Sequence, residues 1–190
     1  MSTAFVLGNG ISRRGISAAM LRKHGVVFGC NALYREFTPD VLVATDRFIA
    51  DAIQDTGYAK NNTFYTRRPQ KNSGALALPN KYTRSASGPN AVHLAIEAKH
   101  SKIFLLGFDM GPTADNKINN IYAGTDFYRD KGTEPVCPDK WIADLIQITQ
   151  ENRFVQFTRV MGIGSASIAN LHIQPNVTVV TVSEFLAKFK

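Results

Sequence analysis

The chain has 190 residues, of which 44% are hydrophobic and 19% are charged, and both values are ordinary for a globular protein. They argue against intrinsic disorder, and a chain of this length is expected to form one domain, residues 1–190. Lys and Arg number 22 against 15 Asp and Glu. The resulting net charge of +7 allows a nucleic acid or a phosphorylated partner without demonstrating one.

The lack of a recognisable targeting segment and the spacing of the two cysteines favour a cytoplasmic location. No apolar run approaches the roughly 20 residues that span a bilayer, and the amino terminus lacks the features of a secretory signal. Cys30 and Cys137 have no CxxC spacing, and Cys30 lies in an apolar strand pattern where a buried thiol is expected. We therefore expect a cytoplasmic protein with no membrane contact and no zinc site.

The first apolar run, residues 5–7, predicts a strand that leads into Gly8-Asn9-Gly10. Ser12 is placed to cap a helix over residues 12–24. Two glycines let the backbone approach a ligand closely, and the amides at a helix start attract anions. The pattern indicates a phosphate site at the first helix, although an ordinary strand–helix turn has the same sequence.

Strand and helix patterns alternate along the rest of the chain. Apolar runs of strand length occur at 26–30, 41–44, 63–66, 102–109, 154–157 and 177–182. Helical patterns lie at 46–53, 85–98 and 141–148, and Ser183 is expected to cap a last helix that ends at Lys190. Because every connection is long enough for a crossover, the predicted fold class is α/β. It is a single Rossmann-like domain with a mostly parallel sheet and helices on both faces.

The expected ligand site follows from this topology. In a parallel α/β sheet, ligands bind beyond the carboxyl ends of the strands. That rule places several polar or small residues along one edge, namely Gly8, Gly10, Cys30, Asn31, Thr45, Asp46, Arg67, Arg68 and Asp109. Two long irregular segments, 67–84 and 111–138, could also contribute, because long loops in compact domains are often functional.

Two common nucleotide motifs are absent from this edge. The turn lacks the third glycine of the dinucleotide-binding motif, and Asn31 stands where that motif has an acidic residue. No Gly-Lys-Ser/Thr follows the turn, so a P-loop is excluded. Asn9 and Asn31 can each donate and accept hydrogen bonds, which suits a ribose hydroxyl, a base edge or a phosphate oxygen. Either residue alone could instead stabilise a turn.

Three short segments share a recognisable pattern. They are Leu7-Gly8-Asn9-Gly10-Ile11-Ser12, then Gly29-Cys30-Asn31-Ala32-Leu33-Tyr34, then Ser87-Gly88 followed by a strand that ends in Gly107-Phe108-Asp109. In this order they resemble the nucleotide-binding half of bacterial sialyltransferases. They are also similar to the related Rossmann-like proteins described as hydroxymethylpterin-pyrophosphokinase-like. The three segments together cover most of residues 3–110.

The resemblance implies that the chain binds a nucleotide-activated sugar, usually a cytidine nucleotide, and transfers the sugar to an acceptor. It assigns donor binding to Gly8, Asn9, Gly10, Ser12, Asn31, Ser87 and Gly88. It also implies that Tyr122 and Tyr128 hold the leaving phosphate. A modified base in DNA and a glycan are both open as acceptors.

The chain departs from this family at the general base. Those transferases place a histidine just before the helix that follows the second loop, and the corresponding stretch, 133–141, has none. Asp109, Asp126 or Asp139 would have to serve, with its pKa raised by burial. Asp109 is the best placed, although it could equally cap a turn. His172, in a late loop, is expected to be a solvated surface residue.

Two other interpretations stay open. Without a base, the chain would be a non-catalytic module that binds or senses a nucleotide. A pyrophosphokinase that acts on a pterin would need a carboxylate pair for Mg²⁺, and Asp46 and Asp109 could supply it only if they converge. The residues otherwise indicate no cofactor and leave Mg²⁺ unsupported. An oligomer, in which a partner subunit completes the site, is compatible with the sequence.

Overall fold

The computed structural model describes residues 2–79, 81 and 84–189, and these form one sheet of eight parallel strands. The strands are β1 (Thr3–Leu7), β2 (Val26–Cys30), β3 (Val41–Ala44), β4 (Phe64–Thr66), β5 (Leu76–Ala77), β6 (Lys102–Leu106), β7 (Gln156–Met161) and β8 (Val177–Thr181). Their order across the sheet is β5-β4-β3-β2-β1-β6-β7-β8. This architecture confirms the predicted α/β, Rossmann-like fold with a parallel sheet.

The helices are α1 (Ala18–Arg22), α2 (Arg47–Asp55), α3 (Ser87–Glu97), α4 (Asp139–Glu151), α5 (Ala169–His172) and α6 (Val182–Lys188). They cover both faces of the sheet. Because alternate residues of a strand point to opposite sides, each strand contributes side chains to both of the resulting cores. Phe5 packs with α1, α2 and α6 in one core, whereas Val6 packs with α3, α4 and α5 in the other. The expected cover of helices on both faces is therefore confirmed.

An aromatic cluster fixes α6 against the centre of the sheet. The ring of Phe5 stacks on Phe104 with centroids 5.3 Å apart, and it meets the edges of Phe185 and Phe189 at 6.2 and 5.1 Å. All four side chains are buried. Burial of one such side chain contributes about 1.5–3 kcal/mol, so this cluster stabilises the central strands β1 and β6.

The prediction of one continuous helix over residues 12–24 is wrong. Residues Ile11–Arg13 form a short 3-10 turn, Gly15 takes a φ of +81°, and α1 begins only after Ser17. The side chain of Ser17 accepts a hydrogen bond from the N–H of Met20, which makes Ser17 the cap in place of Ser12. The left-handed glycine stops the first turn, and the serine then starts a new helix.

Smaller differences concern the ends of the chain and two short elements. β5 and α5 were not predicted, because two or four residues carry no readable periodicity. β6 ends at Leu106 because the next residue, Gly107, takes a φ of +69°. α6 is capped by Thr181 rather than by Ser183, and Lys190 lies outside the described residues.

The strand order reverses at the centre of the sheet. From β1 the chain first builds outward through β2, β3, β4 and β5, and it then returns to place β6 on the other side of β1. Such a reversal leaves a crevice at the carboxyl ends of the two central strands. In the described part of the chain, no helix is long and apolar enough to cross a membrane.

The cap of α6 is testable. The side chain of Thr181 accepts from the N–H of Glu184, whose carboxylate accepts from the N–H of Thr181 in return. We expect Thr181→Ala to lower the free energy of unfolding by about 1 kcal/mol, because the capping box is lost. Ser183→Ala should change it by less than about 0.5 kcal/mol, as for most surface substitutions. Urea denaturation measures both, and an equal loss in the two variants would contradict the assignment.

Candidate functional site

A cavity of about 450 Å³, here called the main cavity, lies at the carboxyl ends of β1, β2, β3 and β6. Its volume falls in the range of small-molecule sites. Most residues predicted from the sequence line it, namely Gly8, Asn9, Gly10, Asn31, Ser87, Gly88, Asp109 and Tyr128. The structure therefore brings three separate sequence segments and one loop tyrosine to a single place.

The floor of the main cavity is backbone from β1 and β6. The N–H of Gly8 donates to the carbonyl of Leu106 at 2.8 Å, and the N–H of Gly10 donates to that of Gly107 at 2.9 Å. A Cβ atom on Gly8 would lie 2.6 Å from the carbonyl oxygen of Gly107, and one on Gly107 would lie 2.9 Å from that of Gly8. The two strand ends can approach this closely only because both residues are glycine.

Tyr128 joins the ends of β1 and β2. Its hydroxyl oxygen accepts from the side-chain amide of Asn9 at 3.4 Å and from the N–H of Ala32 at 3.3 Å. Burial raises the pKa of Tyr128 well above its usual value, so the phenol keeps its proton at neutral pH. The Oδ1 atom of Asn9 is buried and has no hydrogen-bond partner in the described structure. A ligand N–H or O–H group could supply that bond after a small rotation of the amide.

A second set of hydrogen bonds joins β2, β3 and the start of α3. The hydroxyl of Ser87 donates to Oδ1 of Asn31 at 2.8 Å and accepts from the N–H of Thr45 at 3.0 Å. Asn31 takes a φ of +51°, a conformation that asparagine tolerates better than most residues. Ser87 thus fixes the amide of Asn31 at the cavity wall, and the Nδ2 group of that amide can donate to a ligand.

Both carboxylate oxygens of Asp109 are already engaged. Oδ2 accepts from the N–H of Ser12 at 3.0 Å, and Oδ1 accepts from the hydroxyl of Ser165 at 2.9 Å. The N–H of Ile11 donates to Oδ1 of Asn119 at 2.9 Å. The amides of the first turn are thus paired within the protein and are not free for a phosphate, contrary to the sequence prediction. Asp109 connects strand ends, and each of its two oxygens already accepts one hydrogen bond from within the protein.

Tyr122 lies behind the wall of the main cavity. Its hydroxyl accepts from Arg13 at 2.8 Å, and Arg13 also donates to the carbonyl of Gly8 at 2.7 Å. The rings of Tyr122 and Tyr128 are 5.5 Å apart, so the first tyrosine supports the second. Burial raises the pKa of Tyr122 well above its usual value. Its observed contacts give it a supporting place rather than one beside a ligand.

Other predicted residues are not brought to the main cavity. Ser12 is buried in the first turn and does not line it. Asp139 is an exposed residue at the start of α4, and Asp126 is exposed in the loop between β6 and α4. Neither Asp126 nor Asp139 is therefore among the residues that line the main cavity.

Arg159 supports the backbone beneath the main cavity, a role that the sequence did not indicate. It is fully buried, and it donates to the carbonyls of Phe108, Asp109 and Ala166 at 2.8–3.2 Å. Its guanidinium also lies 2.8 Å from Nε2 of His172, which is therefore not the solvated residue that we expected. These bonds fix the backbone that follows β6, and so they hold the residues at the cavity edge.

Sequence reasoning also missed the apolar and cationic residues of the main cavity. Phe48, Phe127 and Trp141 line it, and the first two are 77% and 53% exposed. Phe127 takes a φ of +71°, which is rare for a bulky residue and costs on the order of 1–3 kcal/mol. Arg129 is exposed at the cavity, and its side chain has no hydrogen-bond or ion-pair partner among the residues described. Phe127 and Arg129 lie in a loop, where no periodic signal marks a position. The helical patterns that contain Phe48 and Trp141 do not indicate that these two residues line a cavity.

Comparisons with protein-family models, with curated proteins and with solved structures find no match for this chain. The fold and the cavity are therefore interpreted from their own geometry. They define an α/β protein with a polar-walled, aromatic-rimmed cavity at the strand reversal. The described residues contain no cluster of three or more His, Cys, Asp or Glu side chains arranged to hold a metal ion.

The contact between Arg159 and His172 predicts a pH dependence. Burial and the Arg159 charge lower the pKa of His172 in the folded protein, whereas the unfolded chain keeps the ordinary value of about 6.5. Below that pH the unfolded state binds more protons, so stability should fall as the pH drops towards the folded pKa. We expect His172→Gln to reduce the loss between pH 7.5 and 5, because the glutamine oxygen accepts from Arg159 without titrating.

Urea denaturation at the two pH values measures this effect. His24→Gln is the matched control, because His24 is exposed and its ring lies against the ring of Phe189, far from Arg159 in the sequence. The control should keep the full pH dependence of the original protein. An unchanged pH dependence in His172→Gln would show that His172 does not contribute.

Proposed function

We propose that the main cavity binds a nucleotide-activated sugar with a cytidine or other pyrimidine nucleotide, and that the protein transfers the sugar to an acceptor. The observation that carries this proposal is the convergence of Asn9, Asn31 and Tyr128 on one cavity. Packing of the apolar core does not require that three polar side chains from two strand ends and a loop lie at one cavity. They supply donors and acceptors at separate points of one wall.

The polar wall suits the base and ribose of a nucleotide. Asn9 offers an unpaired acceptor, Asn31 offers a donor, and Tyr128 keeps a hydroxyl proton. A pyrimidine edge or a ribose hydroxyl pairs with such groups, whereas an apolar ligand would leave them unsatisfied. The polar side chains therefore favour a ligand that carries several hydrogen-bonding groups in a fixed arrangement.

The apolar and cationic residues suit the rest of the same ligand. Phe48, Phe127 and Trp141 present aromatic surface, and stacking of a base on an aromatic ring contributes about 1–3 kcal/mol. Arg129 provides positive charge for a donor phosphate, in place of the amides of the first turn. The leaving phosphate would then be held by Arg129 together with the Tyr128 hydroxyl.

Catalysis at such a site is mainly positioning and stabilisation of the leaving phosphate. Held in the cavity, the donor would present its anomeric carbon towards solvent and an acceptor. A pyrophosphokinase has less support, because Asp109 and Asp46 both line the cavity but each oxygen of Asp109 already accepts a hydrogen bond that would compete with Mg²⁺.

A non-catalytic nucleotide-binding module is the second candidate. No histidine is among the described residues that line the main cavity, and the carboxylate of Asp109 is committed to structural bonds. Both observations weaken the case for the histidine and Asp109 as proton acceptors, and they do not affect the proposed nucleotide contacts. Hydrolysis or transfer of a donor sugar separates the two functions, because a binding module retains the donor unchanged.

The proposed function predicts nucleotide binding through Asn9. CMP or UMP should bind in isothermal titration calorimetry, and Asn9→Ala should raise the Kd about tenfold, the effect of one hydrogen bond. Asn170→Ala should leave the Kd unchanged, because Asn170 is exposed in α5 and does not line the cavity. Failure of CMP, UMP, GMP, ATP and their sugar conjugates to bind would refute both candidate functions.

The strained aromatic residue at the rim predicts a loss of nucleotide binding with little change in stability. Phe127→Gly removes the cost of a positive φ, and this offsets the roughly 0.5–1 kcal/mol entropy loss of a glycine. We expect the free energy of unfolding to change by less than about 1 kcal/mol, while nucleotide affinity falls about threefold to tenfold as stacking is lost.

The matched control for this variant is Asn116→Gly. Asn116 is exposed in the same loop, takes a φ of +54° and does not line the main cavity. It should keep full nucleotide affinity in the calorimetric titration. Unchanged affinity in Phe127→Gly would mean that the aromatic rim does not contact the nucleotide.

A further inference from the structure

A smaller cavity of about 180 Å³, here called the side cavity, lies where β3 and β4 end and α2 begins. Buried residues form its floor, and charged residues form its rim; its lining is Thr45, Asp46, Arg47, Ala50, Asp51, Thr66, Arg67 and Arg68. Asp46 is the residue that lines both cavities. Any ligand in the side cavity would therefore lie next to a ligand in the main cavity.

The rim of the side cavity favours an anion. Arg67 donates to the carbonyls of Thr45 and Ser85 at 3.2 and 2.9 Å, which holds its guanidinium at the wall. Arg47 pairs with Asp51 at 3.5 Å. The side chain of Arg68 is exposed, and no hydrogen bond or ion pair to another described residue is recorded for it. A guanidinium of this kind recognises phosphate with two parallel hydrogen bonds.

Asp46 is an exposed carboxylate, and its side chain makes no hydrogen bond to any of the residues that the structure describes. It occupies the position before α2 where a side chain usually caps the helix, yet it makes no cap hydrogen bond. Within the described ranges it also forms no ion pair. Unlike Asp109, it keeps both oxygens available, and it stands between the two cavities. That combination suits a group that accepts a proton from one ligand while the other reacts.

We propose that the side cavity binds the acceptor of the transfer reaction, an alcohol that carries a phosphate group, and that Asp46 is the general base. This inference rests on the proposed function of the main cavity. The acceptor hydroxyl gives its proton to the Asp46 carboxylate while its oxygen forms a bond to the anomeric carbon of the donor sugar. The bond from that carbon to the donor phosphate oxygen breaks, and the electron pair leaves with the nucleotide.

The first experiment measures acceptor binding without a nucleotide. Glycerol 3-phosphate serves as the probe and glycerol as its uncharged counterpart, both titrated calorimetrically. Glycerol 3-phosphate should bind and glycerol should not, and Arg68→Ala should raise the Kd of the phosphate ester about tenfold. Arg153→Ala is the control for general charge, because Arg153 is exposed before β7, which lies on the other side of β1 from the side cavity. Absence of binding, or equal losses in the two arginine variants, overturns the side cavity as a phosphate site.

The second experiment measures transfer. Release of CMP from a CMP-sugar, or of UDP from a UDP-sugar, is followed together with formation of the glycosylated glycerol 3-phosphate. Asp46→Asn should keep the affinity of both ligands within about twofold and should slow transfer by about 100-fold or more, the usual contribution of a general base. Transfer at the original rate in Asp46→Asn overturns the assignment of the base.

The two proposals can fail separately. Asn9→Ala should weaken nucleotide binding and leave glycerol 3-phosphate binding unchanged, whereas Arg68→Ala should do the reverse. Nucleotide binding without any phosphate binding that depends on Arg68 overturns the side cavity and leaves the proposed function standing. Phosphate binding through Arg68 without nucleotide binding contradicts the proposed function, and with it the acceptor role of the side cavity.

Discussion

The hydrogen bonds of the Asp109 carboxylate are the interaction on which the edge of the sheet depends. They join the turn after β1, through the N–H of Ser12, to the loop after β7, through the hydroxyl of Ser165. Arg159 holds the same segment from below through the carbonyls of Phe108 and Asp109. Buried charges are stable only when they are well paired, and these hydrogen bonds supply partners for both charges. The cavity is therefore built on a polar core beneath an otherwise apolar sheet.

The loop between β6 and α4 becomes a wall of the site through contacts with this same edge. Asn119 accepts from the N–H of Ile11, and the carbonyl of Asn9 accepts from the N–H of Ile121. Arg13 then reaches Tyr122, and Tyr128 reaches Ala32. A loop that is irregular in sequence is thus fixed at several points. Positions 127–129 at its tip are consequently presented to the cavity on a rigid support.

The sequence predicts the sheet and much of the site, for a physical reason. Buried parallel strands are continuous apolar runs, and the residues that follow them, such as Asn31 and Asp109, must lie at one edge. Side-chain direction within a loop or at the start of a helix has no such rule, which is why Tyr122 and Asp139 were expected at the site although they do not line the cavity. Arg159 was missed because an arginine in a strand usually points to solvent, whereas here carbonyl groups surround it.

The backbone floor formed by Gly8 and Gly107 limits how this cavity can vary. A Cβ atom at either glycine would collide with the backbone carbonyl oxygen of the other. Neither position can therefore accept a larger residue without separating β1 from β6. The bottom of the cavity therefore has a constant shape and contributes no side-chain chemistry. Diversification of ligand preference in proteins built on this plan must proceed through the rim, where Phe48, Phe127 and Arg129 are replaceable without disturbing the sheet.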